Sequence, residues 1–312
     1  MTPPLARSDV DRAALRRTDP QWLAAAWQRA RVLLISPDGQ VHCTADPPAL
    51  CFIEPDPKIP DADRLFLGVD QDGTPYFAVV GDLSERTDAR VVTIREVGAT
   101  LIDRDAGLFI TAAALANWHA AHRYSPVTGQ ATTVSDGGWL RRDDTGTQLF
   151  PRTDPAVIVL VNDGVDGAEG RCLLGHNAAW RRRPGSRRFF STLAGFVEPG
   201  ESAEAAVARE VYEEVGVTVS ELCYQGSQAW PFPGSLMLGF TAHADPDQPL
   251  HPDPSEIAEA RWFTRTEIAT LFSDQPDPGG APHAAPAAPD ADLALPGPAS
   301  IAHYLIHTWL TR

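Results

Sequence analysis

The amino-acid sequence predicts an α+β fold, with a β-rich N-terminal domain ahead of a larger mixed domain. Three observations predict it. Asp-Gly pairs at Asp38-Gly39 and Asp72-Gly73 each separate two apolar runs, which is the strongest short signal for a hairpin. A continuous apolar run, AVIVLV at residues 156–161, reads as a buried strand. Valines at every fourth position (Val207, Val211, Val215) followed by Gly216 read as an amphipathic helix and its stop, because glycine enters the left-handed cap without steric cost.

The elements follow in chain order. Residues 19–31 (DPQWLAAAWQRAR) form a helix with Pro20 in the tolerated first turn. Trp22 and Trp27 fall about 140° apart on it and do not share a stripe. Two hairpins and a further strand, RVVTIREV, complete a first domain over residues 1–110. A helix over 111–123, capped by Thr111, begins a connecting segment over 111–150. His119 and His122 lie at i,i+3 on it; a shared metal is one reading, but no cysteine or carboxylate stands at usable spacing, which favours two histidines on a partly exposed helix. The second domain, 151–312, continues after its first strand with a turn (162–170), the strand RCLLG and an arginine-dense loop (181–188). Strands at 222–229, 236–243 and 260–263 follow, then a helix from Thr266. Residues 273–298 are mostly Pro, Ala, Gly and Asp, too poor in apolar side chains to offset ordering entropy, and read as a mobile surface loop. A helix over 300–310 closes the chain.

Composition narrows the class. At 312 residues and 43% hydrophobic content the chain suits a two-domain globular protein. No run approaches the roughly 18 apolar residues of a membrane span, and the N-terminus lacks an apolar leader, so the expected compartment is the cytoplasm. A net charge of −15 argues against broad electrostatic contact with a nucleic-acid backbone, although phosphates that arrive with a divalent cation remain acceptable. Lys58 is the only lysine; positive charge is otherwise arginine. Cys43, Cys51, Cys172 and Cys223 are scattered without a CxxC and read as reduced thiols.

The informative stretch is GFVEPGESAEAAVAREVYEEVGV, residues 195–217. On its helix Glu214 lies about 40° from Glu210, and Glu213 about 60° to the other side, so three carboxylates share one edge. Like charges at this spacing cost a few tenths of a kcal/mol each, and near a helix C-terminus they also oppose the macrodipole. A cation beside them removes both penalties; an ordinary acidic surface helix is the alternative. The spacing G-x5-E-x7-R-E-U-x-E-E-x-G-U, with U apolar, is met by Gly195, Glu201, Arg209, Glu210, Val211, Glu213, Glu214, Gly216 and Val217. This is the Nudix box, and the chain resembles that family.

Splitting a diphosphate needs neutralised phosphate charge and an activated water, which Mg²⁺ or Mn²⁺ supplies with oxygen ligands. Glu210 and Glu214 are the expected principal ligands, with Glu213 in support, and Arg209 and Glu201 pairing to hold loop against helix. The resemblance implies the carbonyl of Ala194 as an additional ligand. Downstream, SQAWPFPGS looks like the SQPWPFPxS signature of the NADH pyrophosphatase family, with Ala229 in place of its first proline. Gln228, Ala229, Trp230, Pro231, Phe232, Pro233, Gly234 and Ser235 then read as a substrate loop whose aromatic faces suit a base; a core Trp-Pro loop is the alternative.

The resemblance covers most of the chain and implies a Nudix α/β/α sandwich with a mixed sheet. SEIAEARWF carries a further metal-binding glutamate onto Glu256, and PGPASIAHYLI places Ala302 near the substrate. Phe196 and Phe150 fall at the family's base-stacking positions, Phe150 acting from the second copy of a homodimer, and Arg95 is a further substrate contact. The chain departs from the family at its zinc ribbon, where Ser125, Thr128, Arg142 and Thr145 stand at the four thiolate positions. These cannot make a tetrahedral thiolate site, so a zinc-ribbon-like fold without structural zinc is expected, held by Trp139 and its surroundings. The implied activity is hydrolysis of NADH or NAD⁺ to nicotinamide mononucleotide, reduced or oxidised, and AMP, with NAD-capped RNA as a further substrate; Arg181, Arg182, Arg183, Arg187 and Arg188 form a local basic patch, for which a solvated loop is the alternative reading. A broader ADP-ribose or dinucleotide pyrophosphatase and a non-cleaving Nudix sensor are the rival readings.

Overall fold

The computed structural model describes residues 2–180, 187–273 and 293–312. The chain divides into two compact units: Leu5–Thr153 with Ala229–Ser235, and Asp154–Gln228 with Leu236–Arg312 and Met1–Pro4. No described helix is long and apolar enough to cross a membrane.

In the N-terminal unit, α1 (Pro20–Trp27) leads into β1 (Arg31–Ile35), β2 (Gln40–Cys43), β3 (Phe52–Ile53), β4 (Leu65–Val69), β5 (Pro75–Val80) and β6 (Arg90–Thr93). Their sheet runs β4-β5-β1-β2-β6, with β3 added to β1. The pair β1–β5 is parallel and the others are antiparallel, so the central β1 buries Val32, Leu33 and Ile35 on both faces. Gly39 and Gly73 sit at φ 74° and 80° in the two Asp-Gly turns, where a side chain would be strained. Asp19 caps α1 through Trp22 N at 2.9 Å, and the helix ends at Trp27, earlier than the expected Arg31, because Arg31 already pairs with Tyr76 in the sheet.

Two further expectations are corrected here. The end of RVVTIREV is not strand but a helical turn, α2 (Ile94–Val97), because Glu96 reaches back to Thr93 N and Oγ1 at 2.6 and 2.7 Å in a capping box. The helix placed at 111–123 is α3 (Asp103–Ala121), starting eight residues before Thr111. Its interior glycine hides the start, yet a Cβ on Gly107 would stand 2.3 Å from Ser8 Oγ, so close packing requires the residue that propensity disfavours. Ala106 to Ala113 are all buried, which makes α3 a core helix rather than a linker.

β7 (Thr133–Ser135), β8 (Leu140–Arg142) and β9 (Gln148–Leu149) form a small antiparallel sheet. At the four thiolate positions the chemistry is polar. Thr128 Oγ1 and Thr145 Oγ1 donate to the Asp143 carboxylate at 2.7 and 2.6 Å, and the amides of Thr145 and Thr147 donate at 3.0 and 2.9 Å. One buried carboxylate thus ties two turns together. Trp139, the expected anchor, donates Nε1–H to Phe66 O at 2.7 Å, but the hub of the turns is Asp143, which the sequence did not single out. His119 is held from both ring nitrogens: Nδ1 lies 2.9 Å from Arg141 Nη1 and Nε2 lies 2.9 Å from Gly138 O. Arginine only donates and a carbonyl only accepts, so the ring is the neutral Nε2–H tautomer with no lone pair left for a metal. Burial lowers its pKa to about 4.

In the C-terminal unit, β10 (Asp154–Asn162), β11 (Arg171–Asn177), β12 (Arg188–Phe189), β13 (Leu193–Phe196), α4 (Ala203–Val215), β14 (Ser220–Trp230), β15 (Ser235–His243), β16 (Ile257–Thr264), α5 (Arg265–Ser273), β17 (Leu293–Ala294) and α6 (Ile301–Leu310) follow in order. The sheet runs β14-β15-β10-β11-β16, with β13 also on β10 and a separate parallel pair β12–β17. The period of two along β10 builds three layers. Val157, Val159 and Val161 join Val207, Val211 and Val215 of α4 in one core, while Ile158 and Leu160 join Ile301, Leu305 and Trp309 of α6 in the other. Each such side chain contributes about 1.5–3 kcal/mol on burial. Of the expected surface loop, residues 274–292 lie outside the described residues, whereas Leu293 and Leu295 are core, at 1% and 4% exposure.

The hydroxyls of Thr145 and Thr128 and the amide of Thr147 hold the Asp143 carboxyl well below the usual carboxylate range. A depressed folded pKa gives stability that is present above the unfolded value, near 3.9, and lost as pH falls through the folded one. Asp143→Ala is therefore expected to lower the melting temperature by several degrees at pH 7, and the gap to the parent should narrow below about pH 4. A chelator should leave the parent's melting of this unit unchanged. Thermal melts by circular dichroism across pH check both outcomes.

Candidate active site

The box is assembled by one antiparallel pairing and one helix. Gly195 and Ala194 lie opposite Val157 and Ile158 on β10. Ser202 caps α4 through Ala205 N at 3.1 Å, and Gly216 ends it at φ 73° with its N–H on Tyr212 O at 2.8 Å. The valine stripe of α4 faces the sheet, which turns the adjacent acidic edge toward the strand end at Gly195. A Cβ on Gly195 would fall 1.9 Å from the carboxyl carbon of Glu210 and 2.1 Å from each of its oxygens. The box glycine is therefore a packing requirement: Glu210 occupies the space a side chain would take.

Arg209 organises the edge. Its Nε and Nη2 donate to Glu201 in a two-pronged pair, both at 2.8 Å, and Nη2 also reaches Phe196 O at 2.9 Å. Nη1 donates to Glu210 Oε1 and Glu213 Oε2, each at 2.9 Å. Glu201 accepts from Glu198 N at 3.0 Å, and Arg209 together with that amide holds its pKa down at about 2. Loop and helix are joined through a single guanidinium.

Glu214 is different. It is 4% exposed, and its Oε2 is buried with no hydrogen-bond partner among the described residues. Burial, then the charges of Glu210 and Glu256, push its pKa up to about 8, against the pull of the Ala194 backbone amide. Burial likewise raises Glu210. Glu256 reaches this group because its loop is tied to the end of α4: Asp253 N donates to Glu214 O at 3.0 Å and His251 N to Val215 O at 2.8 Å. Among the described residues no three His, Cys, Asp or Glu side chains form a ready-made cluster, since Arg209 draws Glu210 and Glu213 to itself. The donor set nevertheless fits a hard divalent cation. A buried carboxylate oxygen without a donor sits among like charges, and oxygen ligands are what such an ion takes.

The remaining expected positions divide between the units. In the C-terminal unit, Phe196 is 59% exposed beside the box, whereas Gln228 and Ala302 are buried, Gln228 Nε2 donating to Ala299 O at 3.1 Å. In the N-terminal unit, Phe150 is exposed, and Ala229–Ser235 belongs to this unit although it joins β14 to β15. There Trp230 and Phe232 meet edge to face at 5.0 Å, with the Arg95 guanidinium 4.9 and 3.9 Å from their ring centroids. The ring faces expected to be open for a base are thus shared with a cation. Asn117 of α3 fixes this loop by donating to Pro231 O and Pro233 O at 2.7 and 3.1 Å. Sequence reading missed it; its only signal was an amide within an apolar helix. Of the arginine patch, Arg181, Arg182 and Arg183 lie outside the described residues, and Arg188 pairs with Glu259 at 2.7 Å.

Gly195→Ala is expected to displace the Glu210 carboxylate, at a cost of about 1–3 kcal/mol in stability. Denaturant unfolding with paired activity assays measures it, and an unchanged protein would remove the packing argument.

A profile of the NUDIX domain matches residues 152–284, and one of the NADH pyrophosphatase-like rudimentary NUDIX domain matches residues 21–118. The chain is 41% identical over 314 residues to the NAD-capped RNA hydrolase NudC of Mycobacterium tuberculosis, covering 98% of this chain and 94% of that one. It is 38% identical to NudC of Deinococcus radiodurans, covering 73% and 84%. Against the human NAD-capped RNA hydrolase NUDT12 it is 36% identical, covering 67% and 43%. With a complete box on the acidic edge of α4 and relatives matched along nearly its whole length, the chain belongs to the NADH pyrophosphatase family of Nudix hydrolases.

Proposed function

We propose that the protein hydrolyses the pyrophosphate linkage of NADH or NAD⁺, free or as the 5′ cap of RNA, to the correspondingly reduced or oxidised nicotinamide mononucleotide and AMP or AMP-ended RNA. Water adds across the phosphoanhydride: its oxygen bonds to one phosphorus, the bridging P–O bond breaks with its electron pair on the leaving phosphate oxygen, and the two water protons pass to the new phosphate groups and the solvent. The observation that carries the reading is the partnerless buried oxygen of Glu214 beside Glu210 and the Ala194 backbone. Glu210, Glu214, Glu256 and the Ala194 carbonyl would hold Mg²⁺ or Mn²⁺, with Glu213 in support. When bound, such a cation neutralises phosphate charge and acidifies water. Arg209 and Glu201 keep the loop at the helix edge, so that Glu210 stays over Gly195. Phe196 offers an exposed face to a base, and Arg95 with Trp230 and Phe232 offers a cation on an aromatic platform. The names of the relatives support the NAD-capped substrate, and family resemblance supports a cytoplasmic homodimer.

Product analysis with NADH, with and without divalent metal, tests the reading: reduced nicotinamide mononucleotide and AMP in equal amounts are expected, and only with metal. Equal rates on ADP-ribose and NADH would replace it with a general dinucleotide pyrophosphatase. Glu214→Gln keeps the shape and removes the charge; turnover should fall at least ~100-fold, while the metal-free melting temperature does not drop. A variant that retains full rate would overturn the assignment of Glu214.

A further inference from the structure

The N-terminal unit contains a cavity of about 370 Å³, walled by Arg17, Leu23, Arg64, Phe77, Ser135 and the glycines that follow Asp136. That volume lies within the range of small-ligand pockets, about 300–1,000 Å³. One wall is stiff: Asp136, Gly137 and Gly138 take left-handed φ of 51°, 61° and 89°, and a Cβ on Gly138 would stand 2.7 Å from Leu65 Cδ2.

The charges around the cavity are unequally matched. Arg64 pairs with Asp61, donates to Ile59 O, and lies over Trp27. Asp136 faces Arg142 at 3.9 Å. Arg17 has no carboxylate partner among the described residues, and its Nε–H is buried without an acceptor, as Ser135 Oγ is buried without a partner. Its one side-chain bond runs from Nη2 to Arg12 O at 3.2 Å. The face of the guanidinium is covered by Trp139, 3.6 Å from the ring centroid, so only its edge remains for bonding. Arg12 adds a second cation 5.6 Å from the same ring. Burial, with Arg12 beside it, lowers the Arg17 pKa to about 10, as expected of a desolvated cation with nothing opposite it. A cation left in this condition is costly unless an anion completes it.

We propose that this cavity is a second ligand site that takes a mononucleotide, its phosphate on the edge of Arg17 and on Ser135 Oγ and its flat base along Leu23 and Phe77. A guanidinium edge beside a hydroxyl matches phosphate oxygens, and the apolar wall matches a planar body. The site is independent of the box and stands whatever the box hydrolyses.

Calorimetric titration of the full chain in EDTA with AMP, adenosine and inorganic phosphate tests it. AMP should bind at least tenfold more tightly than either fragment. Arg17→Met should weaken that binding at least tenfold. So should Ala24→Phe, which fills the cavity from an exposed position on α1 and leaves the core intact if Arg17→Met misfolds. NADH turnover should stay within twofold in both variants. An AMP isotherm unchanged in both variants, or inorganic phosphate binding as tightly as AMP, would overturn the proposal.

Discussion

The carboxylate of Glu214 is the constraint around which the C-terminal unit is arranged. Its side chain is buried at the end of α4 that the loop before β16 is bonded to, and Oε2 has no donor among the described residues. Burial, then the charges of Glu210 and Glu256, disfavour its charged form and raise its pKa to about 8. The fold holds this acid in place because the adjacent stripe of the same helix is anchored: Val207, Val211 and Val215 are each fully buried against β10. A strained group persists where its surroundings over-determine it, and here the surroundings are a packed valine stripe, a serine cap and a glycine stop.

Arg209 performs the complementary task. Exposed ion pairs contribute little one at a time, but this guanidinium engages Glu201 through two parallel bonds and reaches Phe196 O, Glu210 and Glu213 as well. Its importance is geometric. It fixes the loop carrying Glu201 against the helix carrying the acids, and it leaves Glu214 as the acid outside its reach. Glu201 takes two of its bonds, and Glu210 and Glu213 take one each.

The N-terminal unit shows a different solution to a missing constraint. At the positions where the resemblance implied a thiolate-bound metal, the two turns around Ser125 and Thr145 meet through the carboxylate of Asp143. A carboxylate that accepts several short hydrogen bonds from hydroxyls and amides can organise a small loop pair much as a metal would, from the inside and with a fixed stoichiometry. Trp139 then serves the neighbouring surface, bonded to Phe66 O and covered by Arg17. Arg17 Nε and Ser135 Oγ, both without a partner among the described residues, belong to one cavity wall.

Much of this was legible in the residues themselves. Local rules sufficed for both Asp-Gly hairpins, for α4 with its cap and stop, and for the alternation of β10, because each depends on neighbours within a few positions. The acidic edge was legible for the same reason, since helix geometry alone puts Glu210, Glu213 and Glu214 together. The start of α3 was not, because Gly107 is demanded by Ser8, a residue 99 positions away. Nor was the role of Asp143, whose partners converge from two turns, or that of Asn117, which meets carbonyls more than 110 residues later. The sequence by itself determined which acidic groups share one helix edge. Only the tertiary structure decided which of them are stripped of water and which are matched by a partner, because burial and pairing are set by chain segments far apart in number.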